Sequence, residues 1–161
     1  MYSRPRQSLD GVWSFSTTDP SNFDPSIEIN VPSPWQADPR FRKHNGTAWY
    51  QREFYISPEW LQTDLVVMLG FGAVDYFTDI WVNEKFVGSH EGGYLPFEFD
   101  ITAFLVVGTN SVKVRVEDPL DIFAEIPHGK QSWYGMLSGI WQSVWIELRH
   151  TTHIQKIKIT A

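Results

Sequence analysis

The chain has 161 residues, a formal net charge of −6, no cysteine and 16% aromatic residues. That length suits one domain with its own buried core, and an acidic balance without any lysine or arginine run argues against nucleic acid, whose binding needs clustered cations. Without cysteine there is neither a disulfide nor a thiolate metal site. No signal-peptide core opens the chain and no apolar stretch reaches the length of a membrane span, so the expectation is a cytoplasmic domain with no membrane partner.

In chain order the elements read as strands. Leu9-Asp10-Gly11 leads into a short alternating strand, Val12-Trp13-Ser14-Phe15-Ser16. Pro20, Pro25, Pro32 and Pro34 punctuate the next loops, with a short strand at 27–31 among them. Residues 49–56 alternate cleanly, with Tyr50, Arg52, Phe54 and Ile56 on one face and Trp49, Gln51, Glu53 and Tyr55 on the other. The apolar run 65–71 is expected at the centre of a sandwich. Alternation returns at 75–83, with Tyr76, Thr78, Ile80 and Val82 opposite Phe77, Asp79 and Trp81. Asn83-Glu84-Lys85 makes a tight turn into Phe86-Val87, and Gly92-Gly93 breaks the chain before Phe97 and Phe99 resume the pattern. Val112, Val114 and Val116 against Lys113, Arg115 and Glu117 form the clearest half-buried strand. Segments 144–148 and 154–159 supply two late ones. Roughly nine or ten strands with scarce helical periodicity argue for an all-β, antiparallel β-sandwich of jelly-roll type. Most rings fall at alternating strand positions and are expected in its core.

The run from Val82-Asn83 through Gly92-Gly93-Tyr94 to Phe97-Glu98-Phe99-Asp100 resembles the "WVNGxxVGxHxGGYxPFxFDIT" signature of the amino-terminal sugar-binding domain of glycoside hydrolase family 2. Further motifs follow the family order: Leu9-Asp10-Gly11-Val12-Trp13 resembles "LDGxW", Val31-Pro32-Ser33-Pro34-Trp35-Gln36 resembles "VPxxWQ", and Trp49-Tyr50-Gln51-Arg52-Glu53-Phe54 is similar to "WYRRxF". Phe71-Gly72-Ala73-Val74-Asp75-Tyr76 fits the strand pair before the signature, and Ser138-Gly139-Ile140-Trp141 resembles "SGIW". Two positions depart. The usual Asn-Gly turn is Asn83-Glu84, and because glutamate avoids positive φ a different turn type or register is expected there. The usual arginine after the Gly-Ile-Trp segment is Gln142.

The resemblance implies a galactose-binding-domain-like jelly roll over residues 1–150. Residues 151–161 are then either its last strand or the start of an absent immunoglobulin-like domain, so the chain reads as cut near a domain boundary. The family hydrolyses β-glycosides with retention through two glutamates on a separate (β/α)8 barrel. It includes β-galactosidases, β-glucuronidases and β-mannosidases, and a galactosidase-like parent is preferred. The implied function is a non-catalytic sugar-binding domain that scaffolds the barrel and lines part of its pocket. Its partners would be a β-glycoside and the remaining domains of the parent. A free-standing carbohydrate-binding module, marked by a solvent-facing row of rings, and a structural interaction domain are the alternatives.

No residue here is expected to catalyse. Asn83-Glu84, the one Asn-Glu pair in the chain, lies at a turn tip, where a solvated glutamate makes a poor general acid. Asp118, Asp121 and Glu125 read as a solvated loop whose carboxylates cap turns rather than bind calcium. His90 has no second histidine at helical spacing, so no zinc site is read, and Asn45-Gly46-Thr47 reads as a turn rather than a glycosylation sequon. No glycine loop cradles a phosphate, and no cofactor is implied. The expected sugar contacts are Lys130, Gln131, Ser132, Trp133 and Tyr134, where a long loop mixes hydrogen-bonding side chains with two rings that can stack on a pyranose. The resemblance leans that loop over the barrel and adds Thr47, Ala48 and Trp49 from the segment before "WYxRxF". Gly92-Gly93-Tyr94 is expected to serve close backbone packing.

Overall fold

Strands whose apolar residues alternate must bury one face, and here two antiparallel sheets bury theirs against each other. The computed structural model describes residues 4–18, 27–119, 137–154 and 157–160. Its strands are β1 (Arg6–Ser8), β2 (Gly11–Ser16), β3 (Glu28–Val31), β4 (Gly46–Ile56), β5 (Leu65–Phe71), β6 (Phe77–Val82), β7 (Lys85–Glu91), β8 (Phe97–Asp100), β9 (Gly108–Asp118) and β10 (Val144–His150). One sheet has the order β1-β10-β5-β8 and the other β3-β2-β4-β9-β6-β7.

The core lies between them, with Trp13, Phe15, Trp35, Tyr50, Phe71 and Ile146 almost wholly enclosed. Each such ring or branched chain contributes about 1.5–3 kcal/mol by leaving water. The longest ladder pairs β4 with β9 from Gly46 opposite Asp118 to Ile56 opposite Gly108. It places Ala48, Tyr50, Phe54 and Ile56 beside Val112, Val114 and Val116, as the alternation requires. On the outside of the smaller sheet, Arg149 donates to Glu98 at 2.6 Å through both Nη atoms and to Glu147 at 2.6 Å through Nε.

Three local expectations are revised. β4 begins at Gly46 rather than at residue 49, because its ladder with β9 runs on to Asp118, and this draws Ala48 fully into the core. The Asn83-Glu84 turn keeps a two-residue form, with φ of 50° and 63°. Asn83 holds it from below: its amide Nδ2 donates to Phe104 O (2.9 Å) and Asn110 Oδ1 (2.7 Å), and Ser111 N–H donates to its Oδ1 (3.0 Å). Glu84 is anchored by Lys113 Nζ at 2.6 Å. Finally, no strand forms among the described residues after β10, and Ile154, Ile157 and Ile159 are exposed. Alternation makes a strand only where a neighbouring edge satisfies its backbone groups, and β1 already occupies the edge beside β10.

Candidate functional site

One end of the sandwich is built by segments far apart in sequence. Residues 138–143 belong largely to no sheet, so their backbone groups need partners elsewhere. On one side Trp35 N–H donates to Ser138 O and Ser33 N–H to Ile140 O, each at 3.0 Å. The Gln36 amide completes this clamp, donating through Nε2 to Ser138 Oγ (2.6 Å) and accepting from Ser138 N–H (3.0 Å). On the other side Asp75 and Gly139 exchange backbone bonds of 3.0 and 2.8 Å, and Gly72 N–H donates to Ser143 O at 2.8 Å. Gly139 stands at φ 95°, and a Cβ there would lie 2.1 Å from Tyr50 Oη and 2.9 Å from Trp35 Cε3. Only glycine meets both conditions.

Two carboxyls sit inside this frame. Asp118, at the end of β9, is 2% exposed and accepts a 2.5 Å hydrogen bond from Ser138 Oγ–H. Asp75 is buried with its carboxyl against Gly93, where a Cβ would come within 2.5 Å of Cγ and Oδ1. Burial first, and the Asp118 charge second, push the Asp75 carboxyl up to about 7. It can therefore hold a proton near neutrality and donate as well as accept a hydrogen bond. The rim is apolar. Trp141 Nε1–H donates to Gly93 O at 2.8 Å, Tyr94 packs edge-on against the Trp141 ring, and Tyr94 and Leu95 are 54% and 73% exposed.

Asp118 is thus a buried strand terminus, which corrects its reading as part of a solvated loop. The signal was in the register: Asp118 continues the inward parity of Val112, Val114 and Val116. Asp75 was read only as a position in a strand and a motif. It follows the inward-facing Val74, but only its bridge to Gly139 and the space over Gly93 reveal its setting. Of the glycine pair, Gly93 alone serves close packing, and the group it admits is the Asp75 side chain rather than a backbone; a Cβ on Gly92 would meet nothing nearer than His90 Nε2 at 3.8 Å.

Of the expected contacts, Thr47 and Trp49 lie on the outer face of β4. Thr47 is half-buried opposite Glu117, with its carbonyl oxygen 2.8 Å from His44 Nε2, and Trp49 turns its ring onto Trp81 at 5.5 Å. Ala48, wholly in the core, offers a ligand nothing. Lys130, Gln131, Ser132, Trp133 and Tyr134 lie outside the described residues, as do Asp121 and Glu125. His90 stacks on Phe97 with centroids 3.9 Å apart.

Comparison with known proteins agrees with this picture. The family model for the sugar binding domain of glycosyl hydrolases family 2 matches residues 17–149. A β-glucuronidase of Chlorocebus aethiops is 36% identical over 135 residues, which is 71% of this chain and 21% of its own. A β-galactosidase of Pseudoalteromonas haloplanktis is 33% identical over 167 residues, 99% of this chain and 15% of its own. Among solved structures, the β-D-glucuronidase of Dictyoglomus thermophilum matches with a TM-score of 0.77 at 26% identity, covering 96% of this chain and 30% of that one. The chain spans about a fifth of the length of curated relatives such as the first of these.

Proposed function

The chain belongs to glycosyl hydrolase family 2, as its sugar-binding domain, and from that premise we propose that it is a non-catalytic part of a longer retaining β-glycosidase. In this reading the two catalytic glutamates reside on a separate barrel. The carboxyl end of the sandwich faces that barrel and closes one side of its pocket. Tyr94 and Leu95 supply the apolar contact. Asp75 and Asp118, buried behind that contact, brace the segments that carry it, and Thr47, Trp49 and the loop bearing Lys130, Gln131, Ser132, Trp133 and Tyr134 extend the wall.

The observation that carries this reading is convergence. The segments 33–36, 72–75, 93–95 and 138–141, each part of a family motif, meet around one carboxyl pair. Glu84, 69% exposed, forms a surface ion pair with Lys113.

The test uses 4-nitrophenyl β-D-galactoside and β-D-glucuronide. The 161-residue chain alone releases no nitrophenol, whereas a longer chain carrying the barrel does. In that longer chain Tyr94→Ala raises KM about tenfold with a smaller effect on kcat, as expected for a ring that binds substrate throughout. Hydrolysis by the chain alone, or an unchanged KM, overturns the proposal.

A further inference from the structure

The outer face of the larger sheet carries a second set of aromatic rings, on the side opposite the inward-facing Asp118. Under unbroken alternation Phe86 would point inward, because Gly88 faces the core beneath the Phe99 ring and residues two apart share a face. A register shift between Ile80 and Trp81 inserts an extra residue into β7, so that Gly88 pairs with Ile80 but Phe86 with Trp81. Val87 takes the inward place, and Phe86 turns outward, 53% exposed, with its ring 5.6 Å from Trp81. Trp81 meets Trp49 across β9, so three rings run over four adjacent strands. The bulge has re-aimed a large ring into water that a plain strand would have buried.

The polar groups around the rings complete a recognisable pattern. Arg115 is held by Asp79 (3.0 Å) and Glu117, and Lys113 by Glu84 (2.6 Å), so both cations beside the rings are already neutralised. From Trp81 the cross-strand row continues through Lys113 and Gln51 to Ser14. It ends over a shallow hollow of about 480 Å³ lined by Val12, Ser14, Glu28, Gln51, Arg52 and Glu53. In that hollow the Arg52 guanidinium donates to Val12 O at 2.9 Å. Three strand spacings separate Ser14 from Trp81, about 14 Å, or roughly three pyranose units end to end. Aromatic faces at one end, with amide, hydroxyl and carboxylate groups at the other, match a chain whose units present both apolar ring faces and hydroxyls. The neutralised cations and the two glutamates in the hollow disfavour a polyanion.

We infer that this face binds a neutral β-linked oligosaccharide, one pyranose resting on Trp81 and Phe86 and the following units hydrogen-bonded by Gln51, Ser14 and Glu53. The site touches the pocket wall proposed above at Trp49 alone and uses neither Asp75 nor Asp118. It would hold a polymer beside the longer enzyme rather than position the bond to be cut.

The test is a titration of the 161-residue chain with neutral tetrasaccharides, namely cello-, xylo- and galacto-oligomers, and with tetragalacturonate as the anionic counterpart. Tryptophan fluorescence and backbone amide shifts are the readouts. The expected result is saturable binding of a neutral oligomer, with shifts centred on Gln51, Trp81 and Phe86. Phe86→Ala weakens it about tenfold. Because Phe86 is exposed, this variant retains the parent melting temperature, and Trp81→Ala confirms the position from a second strand. Three outcomes overturn the inference: no saturable response from the folded chain at millimolar oligomer, binding that survives both ring substitutions, or preference for the galacturonate. A fourth is protection of this face from hydrogen exchange in the longer enzyme, which would make it a seam between domains. A failed hydrolysis experiment leaves these results unaffected.

Discussion

Gly139 lacks a Cβ because two rings already occupy the space a methyl group would need. With Tyr50 Oη 2.1 Å from that position and a φ of 95°, Gly139→Ala must move the core and strain the backbone together. The expected loss is about 3 kcal/mol or more, read from the shift in denaturant midpoint. Asp75 makes a different prediction at the same scale. Folded, it keeps its proton up to about 7; unfolded, it loses it near 4. Its contribution to stability is complete below pH ~4 and is lost as pH rises toward ~7, by up to about 4 kcal/mol. Asp75→Asn removes this slope, so the melting temperature of the variant should vary less between pH 5 and 8 than that of the parent. Equal slopes would mean that Asp75 ionises like an ordinary carboxylate.

At the level of elements, the β6–β7 hairpin keeps its tight turn with glutamate where glycine would be relaxed. The left-handed conformation at Glu84 costs about 1–2 kcal/mol, and its exposed ion pair with Lys113 returns about 0–1 kcal/mol. Glu84→Gly is therefore expected to stabilise the chain by about 1 kcal/mol, and a lower melting temperature would show the ion pair to be the stronger term. The smaller sheet has a less forgiving device. Arg149, 9% exposed, satisfies Glu98 and Glu147 at once. These bonds hold its guanidinium more firmly protonated than usual despite burial, and with Arg4 they keep the Glu147 carboxyl low although burial opposes this. Arg149→Met would strand the Glu98 carboxylate and leave Glu147 with Arg4 alone, at a cost of about 3 kcal/mol. Glu98→Gln in that background should recover part of the loss.

For the whole molecule, both sheets share one apolar cluster, with Trp13, Trp35 and Tyr50 from one side meeting Phe71, Val144 and Ile146 from the other. Neither sheet has another surface on which to bury its inner face. Unfolding followed by tryptophan fluorescence and by far-ultraviolet circular dichroism should therefore trace one coincident transition. Two separated transitions would mean that the sheets hold together independently.

What the sequence by itself determined is everything that depends on near neighbours: which segments are strands, which side of each faces the core, and hence an antiparallel sandwich. Alternation at two-residue spacing encodes these, and the inward set Tyr50, Phe54, Ile56, Val112, Val114 and Val116 was legible from it. The ordered motifs likewise pointed to the family. The tertiary structure alone decided the rest. Periodicity gives no sign that Gln36 clasps Ser138 from 102 positions away or that Gly93 leaves room for Asp75. Nor does it reveal the bulge that turns Phe86 outward, since an added residue is visible only against its partner strand. The physical reason is common to all three. A strand's inner face follows from its own residues, but a site at the end of a sandwich is made by segments that meet only after the sheets have packed.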